Sequence, residues 1–162
     1  MPQEIERKFL VKDDSWKQHA DSGEHFRQSF IYSRSGKSVV RIRIAGQQAY
    51  ITLKGKPVSF TRPEFEYPIP LDDARQMLDN LCDSAAVEKT RYEVKYHDKF
   101  WVVDVFEGGN AGLVMAEIEL GSEAEQFDLP PWAGQEVTAD SRYCNSNLAQ
   151  HPFQSWLEKD AD

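Results

Sequence analysis

Alternation of apolar and polar residues with a period of two runs through eight segments of the chain: Glu4 to Val11, His25 to Ser33, Val39 to Ala45, Ala49 to Lys54, Phe60 to Ile69, Val87 to Tyr96, Phe100 to Phe106 and Leu113 to Leu120. Period two with β-branched and aromatic enrichment predicts strands. Helical patterning is sparser. It predicts a short helix after Asp13-Asp14-Ser15, one from Leu71 to about Leu81, a turn near Glu123, and a C-terminal pair over Asn145 to Ala149 and Phe153 to Lys159. Turn signals at Ser35-Gly36, Gly46-Gln47, Gly55-Lys56-Pro57, His97-Asp98 and Gly108-Gly109-Asn110 join the strands as hairpins, which favours an antiparallel sheet.

Residues two apart on a strand share a face. Glu4, Glu6 and Lys8 therefore stand together against Ile5, Arg7 and Phe9; Arg41 and Arg43 against Val40, Ile42 and Ile44; Thr52 and Lys54 against Ile51 and Leu53. Later strands repeat the pattern with Arg62, Glu64 and Glu66, with Lys89, Arg91 and Glu93, with Asp104, and with Glu117 and Glu119. On one strand a charged face is the ordinary solvated side of a half-buried sheet. Across all of them the signs sort by strand: carboxylates dominate the first, seventh and eighth, and Lys and Arg the third, fourth and sixth. The predicted fold is a β-rich α+β chain in which eight antiparallel strands close into a barrel, a tunnel with its charged face inward and helices flanking the apolar outside.

A length of 162 residues fits a single domain spanning 1–162, with no low-complexity linker. Nineteen Lys and Arg against 27 Asp and Glu give a net charge of −8, which argues against nucleic acid and anionic membrane as partners. No apolar run is long enough to span a bilayer. The charged opening Met1-Pro2-Gln3-Glu4-Ile5-Glu6-Arg7-Lys8 lacks the apolar centre of a secretory signal, so a cytoplasmic protein with Cys82 and Cys144 as free thiols is expected.

The residue types on the charged face indicate the chemistry. Hard divalent cations prefer carboxylate oxygens and also touch substrate phosphates, so Glu4, Glu6, Asp104, Glu117 and Glu119 are the natural ligand set for Mg²⁺, with Glu64 and Glu66 as additions. Arg forks and the point charge of Lys match phosphate oxygens, making Lys8, Arg41, Arg43, Lys54, Arg62, Lys89 and Arg91 a cradle for a di- or triphosphate. Competing motifs fail: Ser35-Gly36-Lys37-Ser38 lacks the earlier P-loop glycine, since position 31 is Ile31, and reads as a hairpin turn. His19, His25, His97 and His151 lack zinc-ligand spacing, and no nucleophile elbow is present.

With these residues assembled, the chain resembles the CYTH superfamily, the triphosphate tunnel metalloenzymes. Glu4-Ile5-Glu6-Arg7-Lys8 matches its E-x-E-x-K signature. In order follow Arg41-Ile42-Arg43, Thr52-Leu53-Lys54, Arg62-Pro63-Glu64-Phe65-Glu66, Glu88-Lys89-Thr90-Arg91-Tyr92, Asp104-Val105-Phe106, Glu117-Ile118-Glu119, Pro130-Pro131-Trp132 and Asp140-Ser141-Arg142-Tyr143. The resemblance implies an eight-stranded tunnel binding a small-molecule triphosphate along its axis, with Mg²⁺ or Mn²⁺ on the carboxylates and Arg142 joining the phosphate ligands. It implies hydrolysis by a metal-activated water, with Lys8, Lys54, Lys89, Glu6 and Tyr32 as candidates for the catalytic roles, and it allows a homodimer. Small bacterial members often carry a Gln-Gly-Tyr-type segment in the second strand, whereas this chain has Arg27-Gln28-Ser29-Phe30, so Tyr32 is the expected substitute for the tyrosine.

The leading expectation is metal-dependent hydrolysis of inorganic tripolyphosphate to pyrophosphate and phosphate. Alternatives on the same fold are a nucleoside or thiamine triphosphatase and a class IV adenylate cyclase. An alternative of another class is a non-catalytic polyphosphate or triphosphate sensor.

Overall fold

Eight strands with one apolar face each need neighbours on both sides, and here they find them by closing on themselves. The computed structural model describes residues 2–160; the remaining residues of the expected 1–162 domain lie outside the described residues. The strands are β1 (Gln3–Val11), β2 (Glu24–Tyr32), β3 (Ser38–Ala45), β4 (Gln48–Gly55), β5 (Thr61–Pro68), β6 (Val87–Tyr96), β7 (Lys99–Phe106) and β8 (Val114–Glu119). Their order is β5-β4-β3-β2-β6-β7-β8-β1, all antiparallel. The circuit closes where β1 pairs β5 through Gln3↔Pro63, Glu4↔Arg62 and Ile5↔Thr61. The predicted hairpin turns hold: at β3–β4, Gly46 takes the left-handed φ of +59° that a two-residue connection demands.

A further strand, β9 (Ala133–Glu136), carries no period-two signal and escapes the sequence reading. It exists because β5 pairs only the first residues of β1, leaving the backbone of the second half without a partner. β9 fills that edge, with Phe9↔Glu136 and Val11↔Ala133 in register across a bulge. Arg7, the outward residue of the E-x-E-x-K segment, locks the addition: its Nε and Nη2 donate to Glu136 at 2.8 and 2.6 Å, and its guanidinium rests 5.0 Å from the Phe127 ring centre.

The apolar core lies outside the barrel. Ile5, Phe9, Val94, Trp101, Val103, Ala116 and Ile118 point outward and are covered by Trp16, Leu120, Trp132 and Ala133. Trp16 belongs to a single 3₁₀ turn, Ser15–His19, at the expected first helix. On the opposite side α1 (Leu71–Asn80) lays Ala74 and Leu78 on Ile42 and Ala49. The two C-terminal helices, α2 (Asn145–Gln150) and α3 (Phe153–Asp160), form as expected. Through Leu148 and Ala149, α2 packs on the inward-facing Phe30, Val87, Phe106 and Met115, so one end of the barrel interior is sealed by apolar side chains. Cys82 and Cys144 are free thiols. Among the described residues no helix is long and apolar enough to cross a membrane.

Candidate active site

The barrel's inward positions enclose a cavity of about 610 Å³. Its walls carry Glu4, Glu6 and Lys8 from β1, Arg41 and Arg43 from β3, Lys54 from β4, Arg62, Glu64 and Glu66 from β5, Lys89 and Arg91 from β6, and Glu117 and Glu119 from β8. Strand pairing sets charged neighbours across from one another: Lys8 lies opposite Glu117, Glu6 opposite Glu119, Lys54 opposite Glu64, and Arg91 opposite Asp104.

One wall is cationic. Arg43, Lys89 and Arg91 gather around the Phe26 ring, their charged atoms 4.6, 5.9 and 5.0 Å from its centre. The ring face returns part of the attraction lost when these charges leave water. Burial pushes the Arg43 pKa well below its ordinary value, reinforced by Arg41 and Arg91, and burial likewise lowers Arg41. Lys89 falls to about 7, through burial against the pull of Asp104, with Arg91 and Arg43 adding to the fall. Arg41 donates through Nη2 to Thr52 and Glu66 at 3.2 and 3.1 Å, while its buried Nε has no hydrogen-bond partner. Such a wall is short of negative charge, and an anion entering the cavity relieves it.

The other wall is acidic. Lys54 lies 3.3 Å from Glu4 and 3.2 Å from Glu64, Arg62 lies 3.7 Å from Glu4, and Lys8 lies 3.6 Å from Glu6. These pairs do not cancel the carboxylates. The Glu119 pKa is raised by burial and then by the charges of Glu4, Glu6 and Glu64. The Glu64 Oε2 atom is buried without an aligned hydrogen-bond donor. Among the described residues no three Cys, His, Asp or Glu side chains converge as a formed metal site. The donor set of Glu4, Glu6, Glu64 and Glu119, all carboxylate oxygen and mutually repelling, nevertheless has the chemistry that a hard divalent cation compensates.

Three expected site residues take different places. Asp104, expected as a metal ligand, is fully buried beneath the cationic wall: Lys89 Nζ donates to its Oδ2 at 2.8 Å and Arg91 to both its oxygens at 2.8 and 2.9 Å. Tyr32, expected as a catalytic tyrosine, donates its hydroxyl to the Ser146 carbonyl at 2.6 Å and is itself absent from the cavity lining. Arg142 stands outside the lining, forked onto Asp140 with its guanidinium 5.2 Å from the Trp156 ring centre. Sequence reasoning assigned no role to Gln28 or Asn145, which hydrogen-bond each other at 2.8 Å beside Arg43 and Lys89. Gln28 sits on the inward face of β2, two residues before Phe30, where a buried polar residue is a usable signal; Asn145 opens α2 and gives none.

A family model described as the CYTH domain matches residues 2–151. The chain belongs to the CYTH family. Among curated relatives, an inorganic triphosphatase of Acetivibrio thermocellus is 43% identical over 158 residues, covering 98% of this chain and 100% of the relative. A second inorganic triphosphatase, from Nitrosomonas europaea, is 37% identical over 152 residues, 90% of this chain and 96% of the relative. The crystal structure of an inorganic triphosphatase superposes with a TM-score of 0.64 at 35% identity, over 92% of this chain and 95% of that one. The closed barrel of this CYTH domain is thus the fold it shares with that structure.

Proposed function

We infer that this chain is a divalent-metal-dependent inorganic triphosphatase, splitting tripolyphosphate to pyrophosphate and phosphate with Mg²⁺ or Mn²⁺. The observation that carries the reading is the division of one enclosed cavity into a cationic wall of Arg41, Arg43, Lys89 and Arg91 and a carboxylate wall of Glu4, Glu6, Glu64 and Glu119. Near-full-length identity to relatives named inorganic triphosphatase supports it.

Phosphoryl transfer needs little covalent help from protein; positioning and charge neutralisation supply most of the acceleration. Arg41, Arg43, Lys89 and Arg91 bind and orient the phosphate oxygens from one side, with Lys8 completing the ring beside Glu117. Glu4, Glu6, Glu64 and Glu119 would hold the cation, with Glu117 at their edge. Bound there, it supplies neutralisation at the phosphate oxygens and activation of the attacking water. Lys54, between Glu4 and Glu64, keeps the carboxylates apart in charge and stands ready to meet the leaving phosphate. Asp104 acts from behind by holding Lys89 and Arg91 at the wall.

The test is phosphate release from tripolyphosphate, ATP and thiamine triphosphate with Mg²⁺, Mn²⁺ or EDTA. Metal-dependent release, fastest with tripolyphosphate, is expected. No release from tripolyphosphate with either metal would sink the reading.

A further inference from the structure

A chain of side-chain hydrogen bonds runs behind the cationic wall, and its direction is fixed at both ends. Arg43 carries donors only, so the atom 2.7 Å from its Nε is the Gln28 carbonyl oxygen Oε1. The Gln28 amide nitrogen then faces the other way and donates at 2.8 Å to Asn145 Oδ1. Lys89 also carries donors only, and its Nζ lies 3.0 Å from that same Oδ1. Starting from either cation gives the same orientation for the Asn145 amide. Gln28 is 0% exposed, so water cannot substitute for a missing partner along this path.

The consequence is at the free end. With Oδ1 committed to Gln28 and Lys89, the Asn145 Nδ2 group makes no hydrogen bond to the described residues, and Asn145 lines the cavity beside Lys8, Arg43 and Lys89. Two amide protons are thus carried by a cavity-lining residue whose orientation is held by buried Gln28 and Lys89. A neutral donor suits this position, because the wall already crowds Arg41, Arg43, Lys89 and Arg91, and a further cation would depress their charges more.

We propose that Asn145 donates its Nδ2 amide to a phosphate oxygen of the bound triphosphate, and that Gln28 is the positioning residue that fixes this amide's orientation. The inference rests on the triphosphatase reading above and extends it to α2, outside the barrel strands. It makes α2 part of the binding surface as well as the seal of the apolar end.

Steady-state kinetics on tripolyphosphate with Mg²⁺, for the full chain and two variants, tests it, with melting temperature recorded for each. Asn145→Asp keeps both accepting contacts to Gln28 and Lys89 but replaces the donor with an anion. Asn145→Ala removes the donor and adds no charge. Direct contact predicts KM raised about tenfold or more in both variants, the size of one hydrogen bond to a charged group. A role confined to bracing Lys89 and Gln28 predicts a change in Asn145→Ala only, and simple charge repulsion a change in Asn145→Asp only; either result overturns the proposal. Gln28→Leu, which frees the Asn145 amide to rotate, is expected to raise KM in the same direction, and adding Asn145→Ala to it should raise KM little further. Absence of turnover in the unmodified chain would count against the triphosphatase reading instead.

Discussion

Lys89 and Asp104 form an ion pair of 2.8 Å in which the side chains are 1% and 0% exposed, and Arg91 shares the same carboxylate. One buried anion thus serves two cations, of which only Arg91 has a further carboxylate partner, Glu117 at 3.4 Å. The arginine keeps its proton in any protein environment, so the undercompensated charge is carried by the lysine. Burial works against ionisation of Asp104, yet Arg91 and Lys89 together hold its pKa far below the carboxylate range, while Lys89 falls to about 7.

This arrangement gives a pH dependence of stability with a defined sign. The folded Lys89 pKa of about 7 lies below the ordinary 10.5, so between those values the unfolded chain binds more protons and stability from this group rises with pH. It is lost as pH falls through about 7. Urea denaturation of the unmodified protein and of Lys89→Met from pH 6.5 to 10 is expected to diverge, with a difference in slope of at most about 1.4 kcal/mol per pH unit. Parallel curves would place the Lys89 charge elsewhere.

Removing the shared anion has a larger effect. Asp104→Asn leaves Lys89 buried without a counter-charge and Arg91 with only its 3.4 Å contact to Glu117, and the expected destabilisation is about 3–5 kcal/mol, read from chemical denaturation. A variant with unchanged stability and a raised metal requirement would instead assign Asp104 to the cation.

On the acidic wall, stability and function are expected to move in opposite directions. Glu119 is held against Glu4, Glu6 and Glu64. Glu119→Gln relieves that repulsion, so the metal-free protein should melt higher while the Mg²⁺ concentration for half-maximal activity increases. Glu6→Gln should raise the metal requirement too, without the same gain, because it also deprives Lys8 of its 3.6 Å partner. Thermal melts in EDTA beside Mg²⁺ titrations of activity separate the two.

Arg43 has its Nε committed to Gln28 and lines the cavity, so its terminal nitrogens are the ones available to substrate. Arg43→Ala is expected to raise KM by an order of magnitude or more, with a smaller change in kcat. An unchanged KM would remove Arg43 from the phosphate cradle.

Tyr32 points its hydroxyl at the Ser146 carbonyl. Tyr32→Phe should therefore cost about 1 kcal/mol of stability, one hydrogen bond, without the hundredfold or greater fall in kcat that losing a general acid brings. A large drop in kcat at unchanged melting temperature would restore its catalytic role.

Much of this molecule was legible as sequence because strand side chains alternate strictly. Glu4, Glu6 and Lys8, Arg41 and Arg43, Lys89 and Arg91, and Glu117 and Glu119 lie two apart, so each set shares a face, and apolar partners such as Ile42 and Ile118 decide which face is buried in the core. Eight strands, their hairpin order and the residues of the charged interior follow from local rules. What local rules lack is distance between strands. Only the partial closure of β5 onto β1 leaves the edge that β9 fills, and the Ala-Gly-Gln-Glu run of β9 has no strand signal of its own. Only the packed barrel brings Asp104 onto two cations, Tyr32 onto Ser146, and Asn145 onto Gln28, 117 residues away. A residue's face is a property of its own strand; its partner depends on how the barrel closes and on where the C-terminal helices come to rest.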